Sequence, residues 1–136
     1  MSAYKVAALA VVVCATPALS LRAFSEEPVD LEAAGKQFMT SCGVCHTVEP
    51  GAPVRQGPNL RTAFGRTAGT IEEFPVYSDA LKKAGAGGLK WNEETLDKWI
   101  SGAGDFIPGA SMMYSQPDPA KRKLIIAYLR SLADKK

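Results

Sequence analysis

Cys42-Gly43-Val44-Cys45-His46 decides how this 136-residue chain is read. Two thiols three positions apart, with an imidazole directly after the second, match the attachment signature of a c-type haem. The thiols add across the two vinyl groups, and His46 reaches the iron. His46 is also the only histidine in the chain, so ligation by two imidazoles is impossible. Other readings of the pair are weaker. A thioredoxin-like redox pair needs a βαβ setting, and no such pattern is visible. A closed zinc site takes four Cys or His ligands, yet the one remaining cysteine, Cys14, lies in an apolar leader. A structural disulfide across so small a loop does little.

That leader bounds the compartment. Lys5 supplies a positive start, Val6 to Ala18 is nearly all apolar or small, and cleavage can follow Ser20 or Ser25. Residues 1–25 are therefore expected to be a cleaved export signal, and residues 26–136 a single domain. The rival, an uncleaved anchor, is short of the roughly 20 apolar residues a spanning helix needs. Exported cysteines tend to pair. The mature chain keeps only Cys42 and Cys45, and capture by haem accounts for both. The bacterial periplasm is the expected location, with no stable membrane anchor.

The whole sequence carries 16 Lys+Arg against 14 Asp+Glu. Loss of Lys5 and Arg22 with the leader leaves the two signs balanced. Nucleic-acid binding, which calls for a basic stripe, has no support. A domain this small buries a modest core, and a large apolar cofactor would supply part of it.

The periodicity predicts an all-α chain of about four short helices and long loops. Asp30 caps a first helix to about Ser41, with Leu31, Ala34, Phe38 and Cys42 on one stripe. Thr47 to Thr62 is a Gly- and Pro-bearing loop. Ser78 or Asp79 starts a second helix that Gly85 should stop, and Ala84 to Gly88 reads as a flexible connector. Asn92 caps a third helix ending at Gly102, with Leu96, Trp99 and Ile100 on one face. Asp118, followed by Pro119, opens the last, with Ile125, Tyr128, Leu129 and Leu132 as its stripe. No alternating β pattern of useful length appears. Such long loops are unusual in a small domain unless they wrap a ligand.

A single histidine makes a thioether the natural sixth ligand. Met1 leaves with the signal, and Met39 lies one turn before Cys42, on the histidine side. Met112 and Met113 follow Ile107-Pro108-Gly109 in an irregular segment, and either can serve.

The ordered set Cys42 to Glu49, Gly57-Pro-Asn-Leu60, Phe64-Gly-Arg66, Tyr77 to Ala80, Trp91, Glu93 to Leu96, Ile107 to Met112 and Ile126 to Leu129 resembles class I cytochromes c, near the mitochondrial and bacterial c2 groups. The resemblance implies a single-domain fold around one covalent haem c. It implies Cys42 and Cys45 as attachment residues, His46 and Met112 as iron ligands, and a Pro58 carbonyl on the His46 ring. Arg66, Tyr77 and Trp91 are placed near a haem propionate, and Ala34 and Tyr128 at the crossing of the first and last helices. It further implies electron transfer without catalysis, in a monomer serving redox partner proteins: a membrane oxidase or reductase, or a periplasmic dehydrogenase. A haem subunit of such a dehydrogenase is the alternative, and an open-site sensor or peroxidase a third. The chain departs from the mitochondrial pattern at Ser41, Ser111 and Asp105, where that family carries lysines. Weakly salt-dependent docking is expected to follow.

Overall fold

A computed structural model describes residues 28–135. The expected signal, with Met1 and Cys14, lies outside the described residues. Among the described residues five helices follow one another: α1 Leu31–Ser41, α2 Asp79–Ala86, α3 Glu93–Ser101, α4 Ala103–Phe106 and α5 Pro119–Ala133.

The capping residues work as the sequence implies. Asp30 Oδ1 accepts from the amides of Glu32 (2.9 Å) and Ala33 (3.2 Å) at the start of α1. Ser78 accepts from Leu81 N–H in α2, and Asn92 and Thr95 form a reciprocal capping box on α3. Asp118 accepts from Ala120 N–H at α5, with Pro119 in the first position. Each such cap is worth about 1 kcal/mol.

α1 and α5 pack against each other. Ala34, Phe38 and Ile125 are fully buried, while Leu31, at the outer end of the expected stripe, is 49% exposed. The Phe38 and Tyr128 rings lie 5.2 Å apart at 41°. The expected small residue at the crossing, Ala34, is buried there, and Gly35 beside it gives Tyr128 its room. A Cβ on Gly35 would sit 3.3 Å from the Tyr128 ring.

Two sequence expectations need correction. Gly85 does not stop α2, which runs on to Ala86 with Gly87 as its cap. Gly85 is buried against the Ala68 carbonyl, which leaves no room for a Cβ. Nor is Ala84 to Gly88 a flexible connector. Its first half is helix, and a turn holds the rest, with Leu89 N–H on Ala84 O at 3.1 Å and Gly88 N–H on Gly85 O at 2.9 Å. Composition suggested looseness, but close packing is the reason for that glycine. α4 was also not anticipated. It is a single turn following Gly102, anchored by buried Ala103 and closed by Ile107 N–H on Ala103 O at 2.8 Å.

Among the described residues there is no strand, only an isolated antiparallel bridge between Thr67 and Lys90. Hydrogen bonds from Gly65 N–H to Trp91 O (2.7 Å), Trp91 N–H to Arg66 O (2.9 Å) and Ala68 N–H to Leu89 O (2.9 Å) extend it. This pairing draws Arg66 and Trp91 together from distant parts of the chain. No described helix is long and apolar enough to cross a membrane.

Candidate functional site

The end of α1 delivers the cysteines. Cys42 N–H still bonds back to Phe38 O at 2.7 Å, after which the chain turns tightly. Cys45 and His46 both donate to Cys42 O, at 3.1 and 2.9 Å. Gly43 is buried inside this turn, where a Cβ would press on the Met39 carbonyl at 2.7 Å. Both cysteines are free thiols. Burial, and then the nearby Cys45, push the Cys42 thiol up to about 12, so it stays protonated at neutral pH. Cys45 Sγ donates to Gln56 Oε1 at 3.1 Å.

The loop after His46 orients that ring. His46 Nδ1 lies 2.8 Å from the Pro58 carbonyl. A carbonyl only accepts, so this contact assigns the proton to Nδ1 and leaves the Nε2 lone pair free for a metal. Burial lowers the proton affinity of the imidazole, and the Pro58 contact partly opposes it. The ring is thus neutral, the form that ligates. Gly57 supplies its bed. A Cβ at Gly57 would lie 2.6 Å from His46 Nδ1, inside van der Waals contact. Its backbone is fixed by Gly57 N–H on Cys45 O at 3.0 Å, and Leu60 N–H on Thr47 O (2.8 Å) fixes the loop beyond it. Arg55 Nη1 donates to Gly43 O at 2.7 Å and ties the loop back to the cysteine turn.

The other side of the chain contributes the segment after α4. Gly109 adopts a left-handed φ of 90°, which favours glycine, and the segment then runs without regular secondary structure through the methionines. Met112 is half-buried, whereas Met113 is 92% exposed. Met39 is 53% exposed and is not part of the cavity wall.

One cavity of about 320 Å³ gathers all eight residues singled out from the sequence: Cys42, Cys45, His46, Pro58, Arg66, Tyr77, Trp91 and Met112. Arg66 bonds to Thr62, through Nε to the carbonyl (3.3 Å) and Nη2 to the hydroxyl (2.9 Å). Its charge is close enough to Tyr77 to moderate the rise in phenol pKa that burial causes. Tyr77 meets Phe74 edge-on at 4.9 Å, and Trp91 packs on Trp99 at 5.3 Å. Apolar side chains from α3 and α5, Leu96, Ile100, Ile125 and Leu129, complete the wall. Sequence reasoning missed three contributors. Gly57 lay within a quoted motif, but nothing in its spacing revealed a ring stacked over it. Ile71 and Phe74, buried and lining the cavity, sit in a loop without periodicity.

The donor set fits a covalent haem: two thiols, a neutral imidazole with Nε2 free, a thioether and a mostly apolar wall. No strand exists among the described residues to build the βαβ setting of a thiol redox pair.

Comparison with known proteins agrees. Residues 32–133 match the family model described as cytochrome c. The chain is 36% identical over 103 residues to cytochrome c2 of Afifella marina, covering 75% of this chain and 82% of that one. It is 37% identical over 109 residues to cytochrome c of Ginkgo biloba, covering 79% and 93%. Among solved structures it resembles cytochrome cH from Methylobacterium extorquens (35% identity, TM-score 0.65, covering 76% of this chain and 99% of that one). Cytochrome c2 from Rhodospirillum centenum is also similar (28% identity, TM-score 0.72, covering 77% and 99%). On the match across nearly all the described residues, and on the Cys42, Cys45 and His46 cluster it contains, this chain belongs to the cytochrome c family of haem-bearing electron carriers, with the class I fold.

Proposed function

We propose that this protein is a diffusible, monomeric one-electron carrier of the bacterial periplasm, released from its signal after Ser20 or Ser25. Its iron is held by His46 and Met112. The observation that carries the ligand assignment is the contrast between the adjacent methionines. Both line the cavity that holds His46, but Met112 is half-buried while Met113 is 92% exposed.

When bound through Cys42 and Cys45, the haem supplies an Fe(III)/Fe(II) couple that takes up and gives back one electron. The protein's residues set the terms. Pro58 fixes the His46 ring and strengthens its donation. The soft Met112 sulfur favours the reduced state and raises the potential. The apolar wall acts in the same direction, because it disfavours the extra positive charge of the oxidised state. Arg66, Tyr77 and Trp91 serve a buried propionate, where cationic and hydrogen-bonding groups offset its desolvation. His46 and Met112 together would hold the iron and leave no site open to a substrate, which fits transfer rather than catalysis.

Expression of the full chain in a bacterium that attaches haem c tests this reading. The expected product is a soluble periplasmic protein lacking residues 1–20 or 1–25, carrying one haem and binding no carbon monoxide when reduced. Recovery in the membrane with the leader intact, or avid carbon monoxide binding, would overturn it. Stoichiometric isolation with a larger catalytic chain would instead favour the dehydrogenase-subunit reading.

A further inference from the structure

Three separate parts of the chain meet at one guanidinium. Arg122, in the first turn of α5, keeps only 12% of its side chain exposed. Its Nε donates to Asp97 Oδ1 at 2.7 Å and its Nη2 to Asp97 Oδ2 at 3.3 Å. Its Nη1 donates to two carbonyls, Gln116 at 3.0 Å and Pro117 at 2.9 Å. Asp97 belongs to α3, whose Leu96 and Ile100 wall the cavity. Gln116 and Pro117 close the irregular segment that carries Met112. Gln116 is held further, by its N–H on Ile100 O at 2.8 Å and its side-chain Nε2 on the Tyr114 hydroxyl at 3.0 Å.

Ala110 and Tyr114 pack against the core, but few backbone hydrogen bonds hold the segment between them. Among the described residues, the next backbone N–H to be bonded after that of Ala110 is that of Gln116. Met112 therefore hangs between two fixed points, the Ile107-Pro108-Gly109 turn and the knot at Arg122. We propose that the Arg122–Asp97 pair is a lock that keeps the Met112 segment closed on the cavity wall. Arg122 and Asp97 are then positioning residues for the axial thioether. The proposal rests on Met112 being the sixth ligand.

The geometry suits that task. Arginine's planar fork matches a carboxylate with two parallel bonds while its remaining donors reach the carbonyls, which a lysine ammonium cannot reproduce. Arg122 is largely covered while Asp97 keeps 45% of its side chain exposed, so the two-bond geometry and the added carbonyl contacts, rather than burial, set this pair apart from an ordinary surface ion pair. The molecule also contains its own control. Arg130 pairs with Glu93 and joins the same two helices, but both side chains are more than half exposed, and neither is bonded to the segment from Ile107 to Asp118.

The test compares the haem-loaded proteins carrying Asp97→Asn, Arg122→Lys and, as control, Glu93→Gln. Imidazole is titrated into each oxidised protein at one neutral pH, following loss of the weak sulfur-to-iron absorption band. An outside ligand binds only the open segment, so its apparent affinity scales with the open fraction. Both lock variants should bind imidazole at least tenfold more tightly than the parent, and the Gln116 amide should exchange its hydrogen faster. Glu93→Gln should match the parent in both readouts. Unchanged imidazole affinity in Asp97→Asn and Arg122→Lys, with the band intact, would remove the lock and leave Met112 ligation standing. An equal effect in Glu93→Gln would reduce the pair to an ordinary tie between helices and overturn the proposal. Absence of the sulfur-to-iron band from the parent protein would overturn both readings.

Discussion

Gly57 carries no side chain because the His46 ring fills the space a Cβ would need, with Nδ1 only 2.6 Å from that position. Gly57→Ala must push the imidazole off its bed or pull the loop away from the Pro58 contact. The expected cost is about 1–3 kcal/mol of stability, as for other overpacked sites. A lowered urea midpoint with an altered oxidised spectrum checks it, and a spectrum and midpoint equal to the parent's would refute it. His46 also sets a pH dependence. Its proton affinity in the folded chain is lowered by burial, so the unfolded chain takes up the proton first, near the ordinary value of about 6.5. The ring's contribution to stability is complete above that pH and drains as the pH falls below it. The slope for one proton is at most about 1.4 kcal/mol per pH unit. Iron at Nε2 extends the same trend, because metal and proton compete for one lone pair. Urea unfolding at pH 7 and pH 5 should show the lower midpoint at pH 5, and equal midpoints would contradict this. That two thiols, one imidazole and a thioether gather at one cavity was legible in the sequence, because together they have few other uses. The bed under the ring was not, since it depends on how a distant loop folds back.

α2 shows how an element can be read correctly in place and wrongly in purpose. Ser78 marked its start, but Gly85 looked like a stop signal, because glycine is the usual residue just past a helix end. Its neighbour in space, the Ala68 carbonyl, lies seventeen positions away in sequence, beyond the reach of any local pattern. Gly85→Ala should therefore destabilise the protein by about 1–3 kcal/mol, despite alanine's better helix propensity. Gly104→Ala in α4 meets open space and should stay within about 0.5 kcal/mol of the parent. Urea unfolding of both haem-loaded variants checks the pair, and a stabilised Gly85→Ala protein would show the α2 contact to be misread. The helices with strong caps, α1, α3 and α5, were legible to within a residue or two, since their signals are local. α4 has no such signal. It is one turn held by tertiary burial of Ala103.

At the scale of the molecule, the balance of charge governs how partners approach. The cavity residues that reach the surface, Gln56, Thr70, Ser111 and Met113, are uncharged, and Met113 is 92% exposed beside the proposed ligand. Ser41 and Ser111 stand where a lysine ring would otherwise attract acidic partners. Electron-transfer rates with the native partner should therefore change little with ionic strength. A steep fall on adding salt would contradict this. The fold class and the cofactor followed from the sequence because one motif and a lone histidine constrained the whole chain. The tertiary knot at Arg122 did not, because its members are separated by 25 residues and join only on folding. The proposed role in transfer depends on His46 and the Met112 sulfur both ligating the iron. The most direct test is the oxidised absorption spectrum, with the reduction potential, of Met112→Ala beside Met113→Ala. Met112→Ala should lose the sulfur-to-iron band and fall in potential, while Met113→Ala keeps both. A band that survives in Met112→Ala, or vanishes in Met113→Ala alone, contradicts the account.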